Sequence, residues 1–140
     1  MNKVFVDTNI LLDYYLNRPG ADAAEFLVRC AVAGRISLFA STLTFATFAY
    51  VIKRGHTKEE VYTMLDVVER CINALPMDRQ QLRNAIDHPC KDFEDMLQYQ
   101  CAAANSCDVI ITNNIKDFAE FSSLPLYTAE DFINELKKEG

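Results

Sequence analysis

Val4-Phe5-Val6 is apolar at every position and stops on Asp7. A strand with one face in water alternates apolar and polar residues, whereas a strand covered on both faces has no need to. The run therefore predicts a strand buried on both sides, which calls for a mostly parallel sheet between helices. Val109-Ile110-Ile111 has the same character and stops on Thr112. In open sheets of this kind the ligand site lies beyond the carboxyl ends of the strands. Asp7, followed by Thr8 and Asn9, is expected at that edge.

The intervening chain reads mainly as helices. Ile10 to Asn17 looks helical and is stopped by Pro19-Gly20, and Asp22 to Ala33 is a second helix closed by Gly34. Ile36 to Ala40 reads as a short strand. Ser41 or Thr42 then caps a helix to about Arg54 that is apolar on most sides, which predicts deep burial. Thr57 with Glu60 has the spacing of a capping box, ahead of an apolar stripe of Val61, Leu65, Val68 and Ile72. Ala74-Leu75 reads as a brief strand, Asp78 with Gln81 as a second capping box, and Asp92 to Asn105 as a helix. A last strand is expected over Leu124 to Tyr127, and a last helix capped by Thr128. The order β-α-α-β-α-α-β-α-α-β-β-α predicts an α/β fold with a mostly parallel sheet between helical layers. Its 140 residues suit one domain over 1–140.

Composition narrows the function. The net charge of −6 argues against gripping nucleic acid by bulk positive charge. It suits a carboxylate site in which a bound cation supplies the positive charge. The five cysteines are odd in number and contain no C-x-x-C, so free buried thiols in a reducing compartment are expected. No window suits a membrane span or a signal peptide, and a cytoplasmic protein is the expectation.

Three places carry polar groups toward the same sheet edge: Asp7-Thr8-Asn9, Asp92-Phe93-Glu94-Asp95, and Thr112 through Asp117. Asp92 and Asp95 are three apart and share a helical face. Hard divalent ions need oxygen ligands in such a convergence. Each piece also has a plainer explanation. Asp92 and Asp95 suit the start of a helix, Asp7 to Asn9 a polar turn, and Asn113-Asn114 a loop. All three landing on one edge favours the site.

Residues 4–13, Val-Phe-Val-Asp-Thr-Asn-Ile-Leu-Leu-Asp, resemble the opening of a PIN domain. Asp92-Phe-Glu-Asp-Met-Leu-Gln and Cys107-Asp-Val-Ile-Ile-Thr-Asn-Asn-Ile-Lys-Asp-Phe resemble its second half. The resemblance spans nearly the whole chain. It implies a three-layer α/β/α sandwich and an endoribonuclease that uses Mg2+ or Mn2+ to cleave RNA phosphodiesters. Members of this size are often VapC-type toxins, which implies an antitoxin protein as partner and a homodimer as an assembly. Asp7, Asp92, Asp95 and Asp117 are the implied metal-binding and catalytic acids. Asn9, Thr112 and Asn114 are their supporting groups, and Lys116 and Arg18 are candidate substrate contacts.

The match has two departures. The family's Glu on the helix after the second strand falls on Thr47, and its fourth acid falls on Asn114, with Asp117 one turn on. These motivate an alternative: a degenerate scaffold that binds RNA or a protein without cleaving. A phosphatase-like hydrolase with Asp7 as nucleophile is disfavoured, because the residue two positions on is Asn9. Lys53, Arg54, His56 and Lys58 form the most basic run and are expected to be a solvated face. Tyr14, Tyr15, Phe45 and Tyr50 are expected in the core.

Overall fold

The computed structural model describes residues 3–139 of the 140, so Met1, Asn2 and Gly140 of the expected domain lie outside the described residues. The elements are β1 (Lys3–Val6), α1 (Thr8–Tyr15), α2 (Ala21–Val32), β2 (Ser37–Ser41), α3 (Thr42–Ile52), α4 (Lys58–Cys71) and β3 (Asn73–Leu75). They continue with α5 (Arg79–Asp87), α6 (Phe93–Ala104), β4 (Val109–Ile111), α7 (Ile115–Ala119), β5 (Leu126–Tyr127) and α8 (Ala129–Lys138). The five strands pair in parallel in the order β3-β2-β1-β4-β5. β1 is central, as its apolar run predicts.

The pleat sorts the strand residues between two cores. Val4, Val6, Leu38, Ala40, Val109 and Ile111 face one cluster, built with α1, α2, α3, α4 and α8. Phe5 and Ile110 face the other, with Cys101 and Ala102 of α6 and Phe118 of α7. Successive side chains of a strand point to opposite faces, so an all-apolar strand is what two cores require. Each fully buried residue of this size contributes about 1.5–3 kcal/mol. Cys30, Cys101 and Cys107 are buried, and all five thiols are free. Among the described residues, no helix is long and apolar enough to cross a membrane.

Strand order matters most for function. From β1 the chain steps to β2 and β3 on one side, then crosses back to place β4 on the other side of β1. The connections leaving β1 and β4 therefore part company, and a crevice opens between their carboxyl ends. This is the switch point of an open parallel sheet.

Three local expectations need correction. A helix, α7, stands between β4 and β5 where only a loop leading to a strand was expected. With five residues and Phe118 as its buried side chain, it is too short to show a helical period. Second, α3 buries only Thr44, Phe48 and Ile52, one residue per turn, and Tyr50 is 64% exposed. Tyr14 is likewise exposed, while Tyr15 packs edge-on against Phe48, 4.9 Å between ring centroids. Apolar content measures what a helix could bury, and the number of neighbours decides what it does bury. Third, the Asp78 carboxylate accepts from Gln81 N at 2.9 Å, but the Gln81 side chain donates to the Pro76 carbonyl at 3.2 Å. That box is half formed, whereas the Thr57–Glu60 box is complete.

Candidate active site

Asp7 is the first residue beyond β1 and the N-cap of α1. It is only 4% exposed. Its Oδ1 accepts from Thr8 N at 2.8 Å, and its Oδ2 accepts from the Thr112 hydroxyl at 3.0 Å. Thr112 is the first residue beyond β4, so this second bond closes the crevice between β1 and β4. The Thr112 oxygen in turn accepts from Asn114 N at 2.9 Å, which sets the path of the chain into α7. Burial pushes the Asp7 carboxyl above its ordinary value, the bonds from Thr112 and Thr8 hold it down, and Asp92 pushes it up again.

α6 brings the partner acids. Asp92 is its N-cap and accepts from Asp95 N at 3.1 Å. Capping and site placement are thus one arrangement: the cap fixes the turn that carries Asp95. Asp95 is 6% exposed, and its Oδ2 has no hydrogen-bond partner among the described residues. Its carboxyl is pushed up to about 7, first by burial, then by the charges of Asp7, Asp92, Asp117 and Glu94. Glu94 itself is raised by burial, then by Asp7 and Asp92. Five carboxylates therefore repel one another at this edge. A counter-charge comes from Lys91, whose Nζ lies 3.8 Å from Asp117 Oδ1.

Among the described residues, no three Asp, Glu, His or Cys side chains already form a ligand set for a metal ion. The chemistry of the donors nonetheless fits a hard divalent cation: oxygens only, excess negative charge, and a buried carboxylate oxygen left without a donor. A cation would relieve the repulsion that raises Asp95.

The remaining expected residues are scattered around this centre. Asn9 is exposed on the first turn of α1, and Asn114 is exposed at the start of α7. Lys116 is exposed on α7. Arg18 is exposed and pairs with Asp13, 3.7 Å between charged atoms. Thr47 is half-buried on α3. The α3 residue that reaches inward one turn earlier is Thr44, which is fully buried. Its hydroxyl lies 2.8 Å from that of Thr8, and the Gln98 amide donates to Thr44 and Thr8 at 3.1 and 3.3 Å. A neutral polar knot thus joins α1, α3 and α6 behind Asp7.

Sequence reasoning missed this knot, and it missed Glu94 and Asp13 as well. Gln98 offered a signal, since it is polar on the buried face of α6 between Met96 and Cys101. Asp13 accepts from the Asn113 amide at 2.9 Å and so ties α1 to the loop after β4. Its pocket also explains Gly20, where a Cβ would stand 2.7 Å from Asp13 Oδ2.

A family model for the PIN domain matches residues 3–116. Ribonuclease VapC1 of Aquifex aeolicus (strain VF5) is 26% identical over 136 residues, covering 93% of this chain and 92% of the relative. Among solved structures, VapBC2 from Rickettsia felis bound to a promoter DNA fragment contains a chain that superposes with a TM-score of 0.67 at 20% identity. The match covers 89% of this chain and 97% of that one. VapBC-1 from nontypeable Haemophilus influenzae gives 0.67 at 19% identity, covering 91% and 98%. The sheet order, the acid delivered by β1 and the helix that meets it agree with this match, and the chain belongs to the PIN-domain family.

Proposed function

We propose that this protein is a divalent-metal-dependent endoribonuclease, acting in the cytoplasm as the VapC-type toxin of a toxin–antitoxin pair. The observation that carries the reading is Asp95: unpartnered at Oδ2 and driven toward neutrality first by burial and then by the acids around it. Support for RNA as substrate comes from the relative in Aquifex aeolicus, which is a ribonuclease. Support for an antitoxin partner comes from the VapBC complexes that share the fold.

Asp7 and Asp95 would hold the ion, with Asp92 and Asp117 on its flanks; Mg2+ and Mn2+ are the ions that suit such a set. When bound, the ion supplies charge stabilisation at a phosphodiester and activation of water. The chain's own residues prepare for it. Thr112 and Thr8 N hold the Asp7 carboxylate in one orientation, which a ligand must have. The Asp92 cap holds the first turn of α6. With its carboxyl pushed up to about 7, Asp95 is only partly ionised at neutral pH, so affinity for a cation should rise with pH through about 7. Lys116 stands at the rim as a candidate phosphate contact.

The test is cleavage of single-stranded RNA by the full-length protein with Mn2+, with Asp7→Asn as control. Cleavage that Asp7→Asn abolishes supports the reading. No cleavage, together with no calorimetric Mn2+ binding that Asp7→Asn removes, overturns it.

Thr47 favours a second reading, a scaffold that binds without cutting, because α3 offers no carboxylate to the site. Thr47→Glu separates the two. Activity that appears only in the variant supports the scaffold, and wild-type cleavage little altered by the change supports the enzyme.

A further inference from the structure

We propose that the groove between α3 and the start of α4 is a track for single-stranded RNA, continuous with the Asp7 site. The inference rests on the ribonuclease reading and names how the substrate is held.

The groove has a volume of about 500 Å³ and a floor of alanines and Val61. Tyr50 and Tyr62 line it and are 64% and 68% exposed. Lys53, His56 and Lys58 line it too, and no acidic side chain is among its described lining residues. That is a local inversion of charge in a chain with 20 acidic and 14 basic side chains. Lys53 Nζ lies 4.5 Å from the centre of the Tyr50 ring, so a cation is held beside an aromatic face. The His56 Nδ1–H donates to the Ile52 carbonyl at 2.8 Å, leaving Nε2 for a ligand. The acids nearest in sequence are Glu59 and Glu60, and Glu60 is engaged with Thr57 in the capping box. Exposed aromatic faces interleaved with cations are what a single strand needs: bases stack on the rings while phosphates meet the ammonium groups. A duplex keeps its bases stacked on each other and cannot use the rings. A protein ligand would gain from the apolar floor but would leave Lys53 and Lys58 to be matched by its own acids.

Position favours the same occupant. Thr44 lies in the polar knot behind Asp7, and Tyr50 follows it by six residues on the same helix. At about 1.5 Å per residue that is about 9 Å along the axis, a separation that a few nucleotides of extended strand would span.

The test is fluorescence anisotropy of a labelled single-stranded RNA with the full-length protein in EDTA, where a metal-dependent nuclease cannot cut. Tyr50→Ala with Tyr62→Ala should weaken binding by at least about tenfold, and the Tyr→Phe pair should restore it, since stacking needs the ring and not the hydroxyl. Lys53→Gln with Lys58→Gln should lower the slope of log affinity against log salt by about 1.4. Duplex RNA of the same sequence should respond to neither pair. All four side chains sit at the surface, and thermal unfolding checks that each variant is folded. Wild type that binds and cleaves RNA, with both variant pairs binding as wild type does, overturns the track and leaves the nuclease standing. Wild type that neither binds nor cleaves overturns both. Unchanged RNA binding together with lost binding of an antitoxin would assign the groove to protein and also overturn the track.

Discussion

Asp95→Asn should stabilise the metal-free protein, and by an amount that depends on pH. In the folded chain Asp95 keeps its proton up to about 7, against an ordinary value of 3.8. The folded state therefore binds more protons than the unfolded state between about 4 and about 7. Because stability rises with pH only where the unfolded state binds more protons, this group makes stability fall as pH rises through that window. Set against a side chain that is always neutral, the penalty is about 4 kcal/mol at pH 8 and about 1.5–2 kcal/mol at pH 5. The first figure is an upper bound, because the neighbouring acids relax as they titrate. Asparagine has nearly the same shape and carries no charge. In EDTA the variant should melt about 6–12 °C above wild type at pH 8, taking about 3 °C per kcal/mol for a chain of this size. At pH 5 the gain should fall to less than half. Thermal unfolding followed by circular dichroism across pH 5–8 reads this directly. A second arm adds Mn2+, which should raise the melting temperature of wild type at pH 8 and leave that of the variant nearly unchanged. A gain equal at pH 5 and pH 8, or no gain at either, would refute the claim that burial and the surrounding acids hold the Asp95 carboxyl up.

Other substitutions probe the support of the site. Thr112→Val removes the hydroxyl that donates to Asp7 and accepts from Asn114 N; urea unfolding should show a loss of about 1–3 kcal/mol, and calorimetry a weaker affinity for Mn2+. Gly20→Ala drives a Cβ into Asp13 Oδ2 and should cost about 1–3 kcal/mol in urea unfolding. In an Asp13→Ala background the same change should cost almost nothing, and additive losses would disprove the contact. Gln98→Leu replaces an amide whose Oε1 has no partner among the described residues. Thr8 and Thr44 keep each other, so denaturation should show a change within about 1 kcal/mol of neutral, while Gln98→Ala leaves a void and should lose more.

Much of this architecture was legible because the relevant signals are local. The apolar runs at Val4 and Val109 specify strands covered on both faces, and the sheet buries both of them. Thr57, Asp92 and Thr128 announce helix starts by side-chain chemistry alone, and each accepts the expected backbone N–H. Asp7, Asp92, Asp95 and Asp117 were named from position along the chain, and the fold brings them within range of one another's charge. Failures came where a residue's role depends on a neighbour distant in sequence. Tyr50 looked like core, but it stands mostly exposed on α3. Gln81 had the spacing to reach back to Asp78 and found the Pro76 carbonyl instead.

By itself, then, the amino-acid sequence determined which segments become strands and helices, the short α7 excepted, where those helices begin, and that Asp7 follows the first strand. These follow from periodicity, capping and burial on both faces, which act over a few residues. Only the tertiary structure decided that β1 and β4 are neighbours, and therefore that Thr112 locks Asp7 across the crevice while α6 delivers a buried, unpartnered Asp95 to it. It also decided that Thr44, Thr8 and Gln98 form a neutral knot on the side where α3 offers no carboxylate. Strand order and the desolvation of a carboxylate are properties of the assembled fold, since both depend on which distant segments finally exclude water from the same place.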